Sequence, residues 1–251
     1  MQGIQQLIAT LQRLRAPGGC DWDRAQTPQS LRANLIEEVA ELIDAIDTAD
    51  ASAMVEEFGD ALFVLLLLGD TAEQLPGFRV EDAITAICAK LHRRHPHIFG
   101  DADTSPGWHA LKADERAGDP DASALGELPT SLSPLLRSHR AGARAAAVGF
   151  DWPNASGVRA KLDEELTELD EAIASGDTDA IEDELGDVLL TLTSLARTHG
   201  LNADSALRRA NRKFESRFRY MERDLREAGS TLSSRTPAQL DAAWRRAKDP
   251  Q

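Results

Sequence analysis

Residues 164–173 read EELTELDEAI, and residues 37–46 read EEVAELIDAI. Each copy precedes a second acidic motif and an apolar run, with ELGD at 184–187 and EFGD at 57–60. The step from the last glutamate of the first motif to the first glutamate of the second is 16 residues in both copies. A duplication that keeps this register predicts two similar domains, each holding four carboxylates at fixed positions.

Apolar residues in this chain recur at i, i+3, i+4 and i+7, and few segments alternate with period 2. The pattern predicts helices at 4–15, 28 to about 47, about 52 to 75, 80–94, 131–147, 154–175, 177–199, 202–228 and 236–247. Short loops between amphipathic helices are typical of helical bundles. The predicted fold class is therefore all-α, with two tandem helical-bundle domains.

The predicted domains are residues 1–113 and residues 131–251, joined by a linker at 114–130 that is rich in Asp, Ala, Gly and Pro. Each half is near the lower size for an independent core, so we expect homodimerisation through bundle faces. The inward-facing stripe of the helix that follows Pro28 is predicted to consist of Leu31, Leu35, Val39, Leu42 and Ile46.

The composition excludes several classes of protein. A net charge of −14 argues against general nucleic-acid binding, which needs a basic surface. It leaves a phosphorylated small molecule open, because a bound metal reverses the local field. The longest apolar run, 61–69, is too short to span a bilayer. With no predicted signal peptide and only Cys20 and Cys88, we expect a cytoplasmic protein without a membrane partner.

Carboxylates three residues apart lie on one face of a helix, and each half has two such pairs. The pairs are Glu165 with Glu168, Glu184 with Asp187, Glu38 with Glu41, and Glu57 with Asp60. Two antiparallel helices would bring both pairs of a half together, and their repulsion would require a cation. Oxygen-only ligands favour Mg²⁺, with Mn²⁺ as the alternative.

Two other interpretations of the acidic motifs are weaker. An isolated E-x-x-E is ordinarily a solvated acidic face, but duplication and equal spacing favour a metal site. A di-iron bundle needs Glu-x-x-His pairs, and no histidine follows these glutamates at that spacing.

Cations and an aromatic residue accompany the acidic motifs of the second half. Lys161 precedes Glu165 by one helical turn, and the pairs Lys213–Arg217 and Trp244–Lys248 follow at i, i+4 spacing. Taken singly, each is ordinary for a helix surface or a core. Beside a metal site, such cations suit a polyphosphate and an aromatic face suits a stacked base. The group therefore favours a nucleotide.

The first half carries a parallel set. KLHRRHPHIF at 90–99 follows its acidic motifs, and Trp108 with Lys112 repeats the W-x-x-x-K spacing. The three histidines of this segment have no cysteine nearby, so packing is favoured over zinc. No G-x-S-x-G elbow is present, so a serine-type nucleophile has no support.

These residues resemble the MazG family of nucleoside triphosphate pyrophosphohydrolases in its tandem two-domain form. The resemblance covers nearly the whole chain. It rests on CDWD at 20–23 with Gln26 and Thr27, both pairs of acidic motifs, KLHRRHPHIF, GFDWP at 149–153, ANRKFESRF at 210–218 and the terminal W-x-x-x-K. It implies an all-α, Mg²⁺-dependent, dimeric enzyme that cleaves an NTP or dNTP to a monophosphate and pyrophosphate.

The resemblance also implies roles for individual residues. Metal ligands would be Glu165, Glu168, Glu184 and Asp187, and nucleotide contacts would be Lys161, Lys213, Arg217, Trp244 and Lys248. In the first half Glu38, Glu41, Glu57 and Asp60 match the ligand positions, but Asn34 stands where the second half has Lys161. The second half is therefore expected to be the main catalytic half.

The mechanism expected from this site is metal-assisted hydrolysis, in which one of the four ligand carboxylates or Glu164 accepts the proton of the attacking water. Two rival functions stay open. One is a narrow pyrophosphohydrolase acting on dUTP, dCTP or phosphoribosyl-ATP. The other is a nucleotide-binding module without turnover, against which the retention of Lys161 and all four carboxylates in the second half argues.

Overall fold

The computed structural model describes residues 2–100 and 123–248, and within these ranges every regular element is helical. The all-α prediction is therefore confirmed. By its contacts the chain divides into two compact units, residues 1–113 and 114–251. Two predicted features lie outside the described residues. They are the W-x-x-x-K pair of the first half, Trp108 and Lys112, and the part of the linker up to residue 122. Within them, no helix combines the length and apolarity that crossing a bilayer requires.

The first unit is built around a helical hairpin. Its helices are α1 (Gln2–Arg15), α2 (Asp21–Ala25), α3 (Leu31–Thr48), α4 (Ala51–Ala72), α5 (Val80–Arg94) and α6 (Pro96–Phe99). Helices α3 and α4 pack together as the hairpin, and α1 packs against α4. Leu11, Leu31 and Leu67 are buried in one cluster, so a single small core joins these three helices.

The first unit differs from prediction in two short helices and in two helix boundaries. The short helices α2 and α6 carry no periodic signal and were not expected. Helix α3 begins at Leu31 rather than Pro28, because Thr27 N donates to Ser30 Oγ (2.9 Å) and Ser30 N to Thr27 Oγ1 (3.2 Å), which closes a separate turn. Helix α4 ends at Ala72, ahead of the predicted residue 75.

The predicted inward stripe of α3 is partly wrong. Leu31 is fully buried, but Val39 and Ile46 are 40% and 53% exposed. The face that meets α4 instead includes Ala45, which is 4% exposed. At 100° per residue, Val39 and Ile46 lie further round the helix than this face. Apolar side chains are therefore left uncovered within the unit.

The second unit repeats the hairpin and adds another. Its helices are α7 (Pro134–Ala146), α8 (Ala155–Ser175), α9 (Thr178–Thr198), α10 (Ala203–Glu227) and α11 (Pro237–Lys248), with a 3₁₀ turn at Leu232–Ser234. Helices α8 and α9 form one packed pair, α10 and α11 the other, and α7 packs against α9. Met221, Leu225, Ala243 and Ala247 form the core of the α10–α11 pair.

The end of the predicted linker packs onto the second unit. Arg144 of α7 donates a hydrogen bond to the carbonyl oxygen of Glu127 at 2.9 Å and another to that of Leu125. Residues 125–127 are thereby held against α7 without being helical.

The α3–α4 and α8–α9 hairpins have the same two-residue turn. In the second, Gly176 ends α8 with φ +72°, and the side chain of Asp177 accepts from Asp179 N and Ala180 N to start α9. In the first, Ala49 ends α3 with φ +55° and Asp50 caps α4 in the same way. A two-residue connection therefore fixes the register of the acidic motifs in both units.

The residue at each left-handed position should affect stability, so that Ala49→Gly and Gly176→Ala change the free energy of unfolding in opposite directions. A left-handed conformation costs a residue with a Cβ about 1–2 kcal/mol, while glycine loses more backbone entropy on folding. We expect Ala49→Gly to raise the free energy of unfolding by about 0.5–1 kcal/mol and Gly176→Ala to lower it by about 1 kcal/mol. Urea denaturation followed by circular dichroism measures both, and equal signs for the two changes would contradict this account of the turns.

Candidate acidic metal centre and cationic cavity

The α8–α9 hairpin brings three carboxylates together. One side-chain oxygen from each of Glu165, Glu184 and Asp187 lies within 4.8 Å of the others. Glu165 is 5% exposed, so its charge is held where water cannot fully solvate it. A buried carboxylate costs free energy unless a cation balances it. We call these three residues the acidic cluster.

Lys161 supplies one such cation. Its Nζ lies 3.0 Å from Glu165 Oε1 and 2.6 Å from Glu164 Oε1. Hydrogen bonds to Glu164 and then Glu165 raise the pKa of Lys161 above its usual range, so it stays protonated. Predicted from sequence as a nucleotide contact, Lys161 is seen here as a partner of the acidic cluster.

Glu168, the fourth predicted ligand, lies outside the 4.8 Å group but within its field. Loss of hydration raises the pKa of Glu168 most; Lys161 opposes the rise, and the charges of Glu165 and Glu184 add to it. Glu168 thus faces negative charge that Lys161 relieves only in part. Three of the four predicted ligands therefore have oxygens within 4.8 Å of one another, and the fourth is repelled by Glu165 and Glu184.

The chemistry of this donor set fits a hard divalent cation. Every side chain of the acidic cluster offers carboxylate oxygen, and Mg²⁺ and Mn²⁺ prefer such ligands. Lys161 balances only one charge of the cluster. A divalent ion among Glu165, Glu184 and Asp187 would relieve the remaining repulsion, so the residues present fit the ion that the sequence implied.

The first unit also holds three carboxylates close together, but they are not the three that correspond to the acidic cluster. Side-chain oxygens of Glu38, Glu41 and Glu57 lie within 4.8 Å of one another, while Asp60 lies outside this group. A cavity of about 270 Å³ lies beside Glu41 and Glu57. The duplicated motifs therefore bring carboxylates together in both units, with Glu41 in the first group where the second has Asp187.

The charge balance of the two clusters differs. Loss of hydration, followed by the charges of Asp60, Glu41 and Glu57, raises the pKa of Glu38. Loss of hydration and then Glu41 likewise raise the pKa of Glu57. Asn34 offers no positive charge at the position that corresponds to Lys161. Repulsion in the first cluster is therefore less compensated than in the second.

Three predicted phosphate contacts converge elsewhere in the second unit. Lys213 and Arg217 of α10 and Lys248 of α11 line one cavity of about 440 Å³. No ion pair found within residues 2–100 and 123–248 involves any of the three. Nearby cations are engaged: Arg219 pairs with Glu215 at 3.1 Å. We call this space the cationic cavity, and its unpaired charge suits an anion.

Trp244, predicted as a nucleotide contact, faces a neighbouring apolar cavity of about 390 Å³ rather than the cationic cavity. Its ring lies 5.3 Å from that of Phe214, at an angle of 50°. It also packs against the core of α10 and α11. In the described part of the chain, no hydrogen bond or ion pair joins the cationic cavity or Trp244 to the acidic cluster.

One feature of the second unit was missed from sequence. Asp151 and Arg197 form a two-pronged ion pair, with Nη1 2.7 Å from Oδ2 and Nη2 2.5 Å from Oδ1. The pair ties the 149–153 loop to α9 beside a cavity of about 430 Å³. The GFDWP motif was a signal for the loop, but nothing in the spacing marked Arg197 as its partner.

Comparison with known proteins agrees with this geometry. The family model described as the MazG nucleotide pyrophosphohydrolase domain matches residues 26–99 and 155–221. The chain belongs to the MazG family. The MazG match falls on both hairpins and so contains both sets of carboxylates, together with Lys161, Lys213 and Arg217. Trp244 and Lys248 lie beyond it.

Two MazG relatives match nearly end to end. A protein of Thermotoga maritima named nucleoside triphosphate pyrophosphohydrolase/pyrophosphatase MazG is 40% identical over 98% of this chain and 95% of its own length. A nucleoside triphosphate pyrophosphohydrolase of Escherichia coli K12 is 36% identical over 99% of this chain and 98% of its own length. The tandem arrangement is therefore common to this chain and to these relatives.

The Asp151–Arg197 pair should make stability depend on pH at acid values. Hydrogen bonding to Arg197 holds the pKa of Asp151 below its usual 3.8. The pair therefore contributes its full stability above that value, and the contribution is lost as pH falls through the lowered pKa. At pH 7 we expect Asp151→Asn to cost about 1–2 kcal/mol, and at an acid pH below the lowered pKa of Asp151 much less.

Urea unfolding of both proteins at the two pH values gives the difference directly. Asp163→Asn is the matched control, because the Arg159–Asp163 pair is solvent-exposed on both sides and should contribute little at either pH. A cost for Asp151→Asn that did not shrink in acid would contradict the assignment.

Proposed function

We propose that this chain is a nucleoside triphosphate pyrophosphohydrolase that converts an NTP or dNTP to a monophosphate and pyrophosphate. The observation that carries the proposal is the acidic cluster, whose three carboxylate oxygens lie within 4.8 Å beside the paired Lys161. The names of the two full-length MazG relatives support the same activity. We assign the main catalytic centre to the second unit.

We assign Mg²⁺, with Mn²⁺ as the alternative, to Glu165, Glu184 and Asp187, with Glu168 as the fourth ligand. When bound, the ion neutralises triphosphate oxygens and increases the acidity of a bound water. The buried position of Glu165 supports this assignment, because a carboxylate shielded from water is costly without a cation.

Glu164 is our choice for the proton acceptor. It is exposed and sits next to Glu165, and it accepts a hydrogen bond from Lys161 at 2.6 Å. A carboxylate held in this way can take a proton from water attacking a phosphate bound at the cluster. Lys161 then holds two roles: it orients Glu164 and contacts the nucleotide once a divalent ion shares the charge of Glu165.

We assign phosphate binding to Lys213, Arg217 and Lys248, because they meet in one cavity without carboxylate partners. Such cations stabilise negative charge that develops on phosphate oxygens during hydrolysis. Trp244 supplies the apolar wall of the neighbouring cavity and a further contact to the nucleotide. These roles rest on the type of each side chain and on their convergence.

For the first unit we propose a metal site formed by Glu38, Glu41 and Glu57, with Asp60 beside them. The convergence of these three carboxylates supports binding of the same kind of ion. Asn34 in place of a lysine favours a lesser catalytic contribution from this unit.

We further propose that the chain acts as a homodimer in the cytoplasm. Several apolar side chains on α9 are uncovered within the unit: Leu185, Leu189 and Leu192 are 48%, 46% and 41% exposed. Their i, i+4, i+7 spacing puts them on one face, as for a helix that packs against another chain. The free thiols Cys20 and Cys88 fit a reducing compartment.

Replacing one ligand tests the activity. We expect Glu184→Gln to lower pyrophosphate release from dNTPs with Mg²⁺ by on the order of 100-fold or more, because the neutral amide weakens the ion's site. Mn²⁺ binding, measured by electron paramagnetic resonance, should weaken in parallel.

Glu182→Gln is the matched control for that experiment. It removes the same charge from an exposed position of α9, two residues away and outside the acidic cluster. Near-normal turnover in Glu184→Gln would contradict the assignment of Glu184 as a metal ligand. A wild-type chain that bound dNTPs tightly but released no pyrophosphate would instead be a binding module without turnover.

The dimer has its own test. We expect Leu189→Glu to convert the protein to a monomer, because a charge at the centre of an apolar interface must be desolvated. Light scattering after size-exclusion chromatography measures the mass at micromolar concentration. Leu201→Glu, at an apolar position 58% exposed and outside the α9 face, is the control and should leave the mass unchanged. A wild-type monomer at these concentrations would contradict the proposal.

A further inference from the structure

The cationic cavity of the second unit has a fourth cation, Arg223 of α10. Neither the motifs nor their spacing mark Arg223 as a nucleotide contact. It is exposed, and among the residues that the structure describes no carboxylate forms an ion pair with it. Together with Lys213, Arg217 and Lys248, it adds to the positive charge that an anion in this cavity would meet.

The surroundings of Arg223 distinguish it from an ordinary solvated arginine. Two neighbouring arginines of α11 are paired, Arg245 with Asp241 and Arg246 with Asp224, at 2.7 Å each. Asp224 follows Arg223 directly in sequence, yet its carboxylate is engaged by Arg246. Carboxylates near the cavity thus bind other cations, and the charge of Arg223 is available to a ligand.

Tyr220 fixes the position of Arg223. The central carbon of the guanidinium lies over the Tyr220 ring, 5.4 Å from its centre. The negative face of the ring attracts the cation, and Tyr220 itself packs against the core of α10 and α11. A guanidinium stacked in this way keeps its N–H donors, which suit the oxygens of a phosphate. Arg223 is thereby held at the cavity without losing its capacity to donate.

The cations of α10 follow one another in a row with two distinct ends. At 1.5 Å per residue, Lys213 and Arg223 are about 15 Å apart along the helix axis, with Arg217 between them. Phe214, next to Lys213 in sequence, has its ring 5.3 Å from that of Trp244. Trp244 is the aromatic residue that we assign to the nucleotide. A phosphate chain that begins near Trp244 therefore reaches Lys213 and Arg217 first and Arg223 last.

We propose that Arg223 is a further substrate-binding residue, which contacts the terminal phosphate of the nucleoside triphosphate and so favours triphosphates over diphosphates. This inference rests on the proposed function and adds a residue that determines specificity. Arg223 donates to the phosphate farthest from the nucleoside, a group that a diphosphate lacks. Tyr220 is a positioning residue, since it acts by holding the guanidinium at the cavity.

The proposed contact should act on substrate binding rather than on the chemical step. Monophosphate and pyrophosphate are the products, so the bond that breaks joins the first and second phosphates. The terminal phosphate is not part of that bond, and a contact to it is similar in the bound substrate and in the transition state. Loss of such a contact raises KM and leaves kcat nearly unchanged.

The experiment compares a triphosphate with the matching diphosphate, using the full chain and Mg²⁺. Steady-state kcat and KM are measured for dATP, and dADP serves as a competitive inhibitor whose inhibition constant is measured in the same assay. Arg223→Gln removes the proposed contact, and Arg223→Lys keeps the charge. Arg226→Gln is the matched control, because Arg226 is an exposed arginine of α10, three residues further on, that does not line the cavity.

We expect Arg223→Gln to raise KM for dATP by about 5- to 30-fold, because a charge-assisted hydrogen bond is lost. The inhibition constant of dADP should stay at the wild-type value, and Arg223→Lys should recover part of the loss in KM. Arg226→Gln should change neither constant. Lys213→Gln, which removes a cation nearer to the nucleoside, should raise both.

Tyr220→Leu tests the positioning role. It should raise KM for dATP less than Arg223→Gln does, again without changing the inhibition constant of dADP. Added to Arg223→Gln, it should have no further effect on KM, because the ring acts only through the guanidinium. A purely structural effect of Tyr220→Leu would instead persist in the double variant.

Three outcomes would overturn the inference while the wild type still releases pyrophosphate. KM for dATP could stay at the wild-type value in Arg223→Gln, KM and the dADP inhibition constant could rise together, or Arg226→Gln could raise KM as much. A wild-type chain that released no pyrophosphate would contradict the proposed function itself. Calorimetric titration of the same variants with dATP and dADP would then still test the contact, because it measures binding alone.

Discussion

The second unit depends on one constraint: carboxylates on two adjacent helices must stay close although they repel. Packing of α8 against α9 supplies the force that holds them, and Lys161 removes part of the repulsion. Glu165 is buried, so the packing that covers this residue also removes water from its carboxylate. The divalent ion that we propose for this hairpin would relieve a cost that folding has already imposed.

The two units show how one substitution changes this balance. Lys161 and Asn34 occupy corresponding positions on hairpins of similar geometry, yet only the lysine gives its cluster a positive charge. Loss of hydration, followed by repulsion from neighbouring carboxylates, raises the pKa of both Glu38 and Glu57 in the first unit. The metal sites that we propose for the two units are therefore expected to bind an ion unequally.

Much of this arrangement could be predicted from sequence, because helical periodicity and acidic spacing are local properties. Ligand pairs on α8 and α9 follow from i, i+3 spacing, and three of the four predicted ligands meet at short distance. The Asp151–Arg197 pair could not be predicted, since 46 residues separate its members and only tertiary packing joins them. Val39 was misplaced for a related reason: periodicity marks an apolar face but does not say which neighbour covers it.

The two-residue turns at Ala49–Asp50 and Gly176–Asp177 have a consequence for how this family can vary in length. One inserted residue there would rotate the following helix by about 100°, and the downstream glutamate and aspartate would swing away from their partners. Loops outside the hairpins carry no such restriction. Insertions and deletions among related chains are therefore expected to accumulate around the hairpins while these two junctions keep a constant length.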